Sequence, residues 1–203
     1  MPAPHSFVHE RIYSALIVLL GLSLAVPVPA YDSYLSEQDI RDAYFLGTRG
    51  GLAPQFLAQY SHWVPDLHQG TCTTEIRLET PFLQVVNYTA KARNYSAQDA
   101  VKAFQDKPMK FRLFLNVCYM REAPPPESVK IKVIQNKKQL VPASDKRLFY
   151  AEPASELSDL APNGERAQME FDAQTIDSSP LTIQIDTPDG QHCTTDLDLQ
   201  AIR

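Results

Sequence analysis

Along residues 31–51 the apolar positions recur at helical spacing. Ile40, Ala43, Tyr44 and Gly47 share one stripe, while Arg41, Asp42 and Thr48 face elsewhere, which predicts an amphipathic helix docked by one side. Ser36 followed three residues later by Asp39 reads as a capping box, with Leu35 and Ile40 placed as a hydrophobic staple. Gly47 is positioned to close the helix in a left-handed conformation. A second short helix is expected over 54–60, behind the loop "TRGGLAP".

Past Gly70 the period changes from helical to alternating. Cys72, Thr74, Ile76 and Leu78 fall on one face, and Thr73, Glu75, Arg77 and Glu79 on the other, as a half-buried strand requires. Helical grammar then returns twice. Thr80 caps a segment with Pro81 in its first turn and Phe82, Val85, Val86 and Thr89 on one face; Ser96 and Asp99 open another that ends before Pro108. From Met109 onward only strands are predicted. Phe111, Leu113, Leu115, Val117 and Tyr119 point inward in "KFRLFLNVCYM", and Val129, Ile131 and Val133 alternate with lysines in "SVKIKVIQ". "RLFYAE", "AQMEFDAQ", "LTIQID" and "HCTTDLDLQAI" supply the rest, the last two joined by the turn "TPDGQ". The expected fold is mainly β: an immunoglobulin-like β-sandwich of about seven strands with two to three peripheral α-helices. Residues 31–69 form an N-terminal helical segment packed on the domain, and 70–203 the sandwich with a helical insertion at 81–107.

The first 30 residues change the cellular picture. Arg11 precedes an uncharged apolar run from Ser14 to Val26, and "VPVPA" puts Val28 and Ala30 where a signal peptidase selects small residues. The pattern is that of a secretory leader cut after Ala30, with an uncleaved anchor as the alternative. The expected location is periplasmic or extracellular. The formal net charge is −5, and removing the leader takes Glu10 and Arg11 together. With no long basic block, nucleic acid and anionic membranes are poor partners. Lys130, Lys132, Lys137 and Lys138 are the only basic cluster, read as the solvent side of a strand and its turn, and as a protected sheet edge where a partner could add a strand.

Three cysteines in an exported chain predict one disulfide and one leftover thiol. "CTTEIRLET" from Cys72 and "CTTDLDLQA" from Cys193 put both cysteines on the apolar face of a strand, whereas Cys118 shares a face with Arg112 and Asn116. A Cys72–Cys193 bridge between the first and last core strands is therefore expected, contributing roughly 3–5 kcal/mol. Cys72–Cys118 is the rival.

Recognised catalytic motifs are absent: no GxSxG, GxGxxG, P-loop, HExxH or CxxC occurs. The densest chemistry is "HWVPDLHQGTC". His62, Asp66 and His68 bring two imidazoles and a carboxylate into one short stretch, suited to zinc or copper, with His192 brought near if the end strands pair. Asp196 with Asp198, and Asp186 with Asp189, are candidate calcium pairs that turn and solvent-face roles also explain. Asn87 and Asn94 open glycosylation sequons on or beside helices, where chance matches are the simpler reading. Their neighbouring tyrosines, with Tyr119 and Trp63, suit either core packing or an aromatic surface for glycan or peptide. Two function classes follow. The favoured one is an exported non-catalytic binding or structural module with a protein or glycan partner and no cofactor. The alternative is a metal-dependent hydrolase centred on His62, Asp66 and His68.

Overall fold

The computed structural model describes residues 31–49, 54–69, 72–120, 128–151 and 162–203; the side chains of His68, Gln69, Cys72, Met120, Ala151, Pro162 and Asn163 fall outside the description, as does the expected leader. Four helices are found among the described residues: α1 (Glu37–Thr48), α2 (Pro54–Ala58), α3 (Pro81–Lys91) and α4 (Ala97–Phe104). The strands are β1 (Ser61–Gln69), β2 (Cys72–Glu79), β3 (Lys110–Met120), β4 (Lys130–Gln135), β5 (Lys138–Leu140), β6 (Ser144–Ala151), β7 (Pro162–Asp172), β8 (Leu181–Asp186) and β9 (His192–Leu197). They form two antiparallel sheets, one ordered β1-β2-β3-β7-β6 and the other β5-β4-β8-β9.

Alternation decides which residues enter the core. Phe111, Leu113, Leu115, Val117 and Tyr119 of β3 and Ala167, Met169 and Phe171 of β7 are buried, and join Val133, Leu181, Ile183, Ile185 and Leu197 of the second sheet in one apolar cluster. The two sheets therefore enclose a single core, as β-sandwich layers do. Among the described residues one carboxylate is buried with them. Glu165 accepts from the Val129 N–H at 2.8 Å, from Ser128 Oγ at 3.2 Å and from the Arg147 guanidinium at 3.0 Å. The bond to Val129, just ahead of β4, ties the first sheet to the second.

The helices close the end of this body where β2 stops and β3 starts. The capping boxes of α1 (Ser36, Asp39) and α4 (Ser96, Asp99) form as expected. Gly47 does something other than what its position suggested. It lies inside α1, buried, and Arg49 is the C-cap. A Cβ there would stand 2.5 Å from the Val86 carbonyl oxygen and collide with Thr89, so the glycine is needed for α1 to approach α3, not to turn the chain. Arg203 straps α1 to the sheets: its guanidinium bonds Asp39 and Asp42 and lies 4.6 Å over the Phe82 ring, while its carbonyl accepts from Tyr60 and Thr80.

Two further expectations are corrected. The stretch 61–69 is a strand of the five-stranded sheet, not part of a helical segment. A bulge between Val64 and His68 puts both Val64 and Leu67, three residues apart, into the core, which erases the two-residue period. The lysine-bearing strand β4 is not an edge either, because β5 and β8 pair with it on both sides. Lys130 and Lys132 stand on its solvent face opposite Asp186 and Gln184. Asn136 and Lys137 form a two-residue turn with φ of 51° and 64°, the left-handed geometry that joins tight hairpins.

Candidate functional site

The residues singled out by the sequence are mostly occupied by structure. His62 turns inward from β1, and its Nε2 lies 2.8 Å from Thr195 Oγ1 on β9, a stitch between the sheets. Asp66 is exposed, and His68 contributes backbone pairing to Thr73 while its side chain lies outside the described residues. Among the described residues no three His, Cys, Asp or Glu side chains gather in a way that could hold a metal ion. His192 pairs with Asp186, whose carboxyl is held below the usual range by that hydrogen bond. Asp189 accepts from Thr187 and Gln191 within the β8–β9 turn. Asp196 accepts from Thr182 at 2.6 Å, and Asp198 caps Gln200 at 2.9 Å. Asn87 donates to Glu79 at 3.0 Å, and the sequon's Thr89 is buried against its own helix.

The cysteine pairing also needs correction. Cys193 is a free, buried thiol, so the Cys72–Cys193 bridge does not form, and Cys118 is the disulfide-bonded cysteine. Facing inward on β9 opposite Ile185, Cys193 behaves as a small core residue. Burial, and then the charge of Asp66, push its thiol pKa up.

A different constellation emerges from the register of the five-stranded sheet. On its outer face Arg77, Phe114, Gln168 and Lys146 stand in one row across β2, β3, β7 and β6. Trp63, Glu75, Asn116, Arg166 and Leu148 form the next, which includes β1. Apart from Trp63, which stands outside it, the side chains of these two rows line a depression of about 430 Å³. A second, of about 500 Å³, shares Glu75, Arg77 and Phe114 with the first and continues toward Asn87 and Lys91 of α3. Together they make one groove running across the strands.

The groove's arginines lie over aromatic rings. Arg77 lies 5.5 Å over the Phe114 ring and Arg166 5.1 Å over Tyr150. Tyr150 is itself laid flat across Gly164, where any Cβ would collide with its ring, so a glycine on β7 sets the shelf for the arginine. Neither arginine, nor Lys146 nor Lys91, makes an ion pair with a described residue. The neighbouring row shows the contrast: Arg112 is saturated by Glu79 and Glu170, both at 2.9 Å. Asn116 Oδ1 is buried without a hydrogen-bond partner among the described residues. At the ends of its row Trp63 and Leu148 are 57% and 61% exposed. Unspent guanidinium N–H groups, an unpaired carbonyl oxygen and open aromatic faces are the parts of a recognition surface for something anionic.

No protein-family model matches the chain, and no curated protein matches it in sequence.

Proposed function

We propose that the chain is an exported, non-catalytic binding module with an immunoglobulin-like fold, and that its ligand docks in the groove on the outer face of the five-stranded sheet. The observation that carries the docking site is the set of cations there, Arg77, Arg166, Lys146 and Lys91, without an ion-pair partner among the described residues in a chain whose net charge is −5. In an acidic protein such a cluster draws anionic ligands locally while the rest of the surface repels them. The fold reading is supported by strand order. Setting β1 aside, β2-β3-β7-β6 facing β5-β4-β8-β9 follows the A-B-E-D and C′-C-F-G order of immunoglobulin sandwiches. Export rests on the leader-like residues 1–30 and on the disulfide at Cys118.

Citrate, a small tricarboxylate, is the test probe for the docking site. Amide NMR spectra titrated with it are expected to shift at Arg77, Asn116 and Arg166. Shifts confined to Lys130 and Lys132 on the opposite sheet, or spread evenly over the surface, would overturn the assignment. For export, cell fractionation with N-terminal sequencing should recover a chain beginning at Tyr31 outside the cytoplasm. Retention of a full-length chain in the cytosol would refute it.

A further inference from the structure

Accepting that the groove is the docking site, we propose that its ligand is a carboxylated polysaccharide, a polymer of acidic sugars laid across the strands. The shape comes first. The two joined depressions extend from Lys91 on α3 to Lys146 on β6, and β2 to β6 alone spans three strand spacings, about 14 Å. A groove this long, with a cation contributed by α3, β2, β7 and β6 in turn, fits a repeating anionic chain better than a single small anion.

The groove's other groups separate acidic sugars from other polyanions. Glu75 is an acceptor set among the cations, and the buried Asn116 Oδ1 on the neighbouring strand has no donor among the described residues. Sugar hydroxyls supply donors beside the carboxylates, whereas a polyphosphate chain brings acceptors alone. The Phe114 ring lines both depressions, and outside them Trp63, next to Glu75 in the register and 57% exposed, adds an apolar face of the kind that covers the C–H side of a pyranose ring. An acidic peptide is the rival, but sandwiches take extended peptides by adding a strand at a sheet edge. This groove instead crosses the face of a sheet whose β2, β3 and β7 already pair on both sides, so along most of its length a peptide finds no strand edge to pair with, β6 alone being an edge.

The test uses the full folded domain on four immobilised probes at about 0.1 M salt: polygalacturonate, its methyl ester, polyglutamate and dextran sulfate. Retention on polygalacturonate is expected to be lost on the methyl ester, the same chain without its charge. Arg77→Ala and Arg166→Ala should each weaken it about tenfold, and Asn116→Ala should weaken it without altering charge. The control Lys130→Ala/Lys132→Ala, on the other sheet, should leave it unchanged, and thermal melts confirm that each variant folds. Equal or tighter binding to polyglutamate would overturn the proposal in favour of an acidic protein partner. Equal binding to dextran sulfate would reduce it to unspecific charge attraction. If no polymer is retained while citrate still shifts the groove resonances, the docking site stands and the polysaccharide falls. If citrate moves nothing there, both fall.

Discussion

Replacing Arg147 by methionine isolates the buried charge at Glu165. The Glu165 side chain is 1% exposed and the Arg147 side chain 20%, and Arg147 also holds Asp145 at 2.5 and 2.7 Å and the Val129 carbonyl at 3.2 Å. Removing one partner of a buried pair costs about 3–5 kcal/mol, mostly because the other charge is stranded. Water reaches Arg147 from its exposed side and Asp145 is open to solvent, so the low end, about 3 kcal/mol, applies to Arg147→Met. For a domain of this size that is a fall in Tm of about 6–12 °C. Glu165→Gln alone keeps the bond from Val129 N–H through its amide oxygen and should cost only about 1–2 kcal/mol. The double variant should therefore be more stable than Arg147→Met, since glutamine leaves no unpaired charge. Urea titrations at constant m-value measure the three midpoints. If adding Glu165→Gln to Arg147→Met lowers the midpoint further, stranded charge is not what the arginine prevents, and the reasoning fails.

Three more outcomes follow from the fold. Gly47→Ala should destabilise by about 1–3 kcal/mol through overpacking, because its Cβ would meet the Val86 carbonyl at 2.5 Å; a calorimetric melt equal to wild type would contradict the close approach of α1 and α3. Burial acts to raise the Asp39 carboxyl, but hydrogen bonds from Ser36 and Arg203 outweigh it and hold it below the ordinary range. A carboxylate depressed in the folded state stabilises above its unfolded pKa and loses that contribution as pH falls through its folded value. Stability should thus stay level near neutrality and drop below about pH 4, with Asp39→Asn removing about 0.5–1 kcal/mol at pH 7, discounted for exposure, and less in acid. Peptide mapping without reductant should find Cys118 cross-linked to Cys72, the cysteine that remains once Cys193 is free; a Cys193-containing cross-link would refute it.

The elements written in local chemistry were legible. Ser36 with Asp39 and Ser96 with Asp99 announced two helices, and strict alternation announced β2, β3 and β8. β1 was hidden because its bulge breaks the period and Pro65 sits within it. Glu165 was hidden because a glutamate in "NGERAQ" resembles any surface acid until Val129, 36 residues earlier in the chain, is brought against it. The groove was hidden for a related reason. Glu75 and Arg77 look like ordinary solvent-side positions on their strand, and only the pairing of β2, β3, β7 and β6 places Arg77 in line with Lys146 and Arg166 beside Asn116. The nearest local signal was Trp63, the chain's sole tryptophan, which stands beside the groove on the exposed face of β1.

The inward thiol of Cys193 sets a timing problem for the chain. Once the sheets close, the buried thiol, with its pKa raised, is a poor nucleophile and would survive the oxidising compartment proposed for the chain. Before they close, three thiols compete on equal terms, and two of the three pairings would trap Cys193 in a bridge that keeps β9 from reaching its place beside β8. Correct maturation is then a race between collapse of the β8–β9 hairpin onto the core and the arrival of oxidant. A Cys193→Ala chain runs no such race, and its yield on oxidative refolding should no longer depend on a disulfide isomerase.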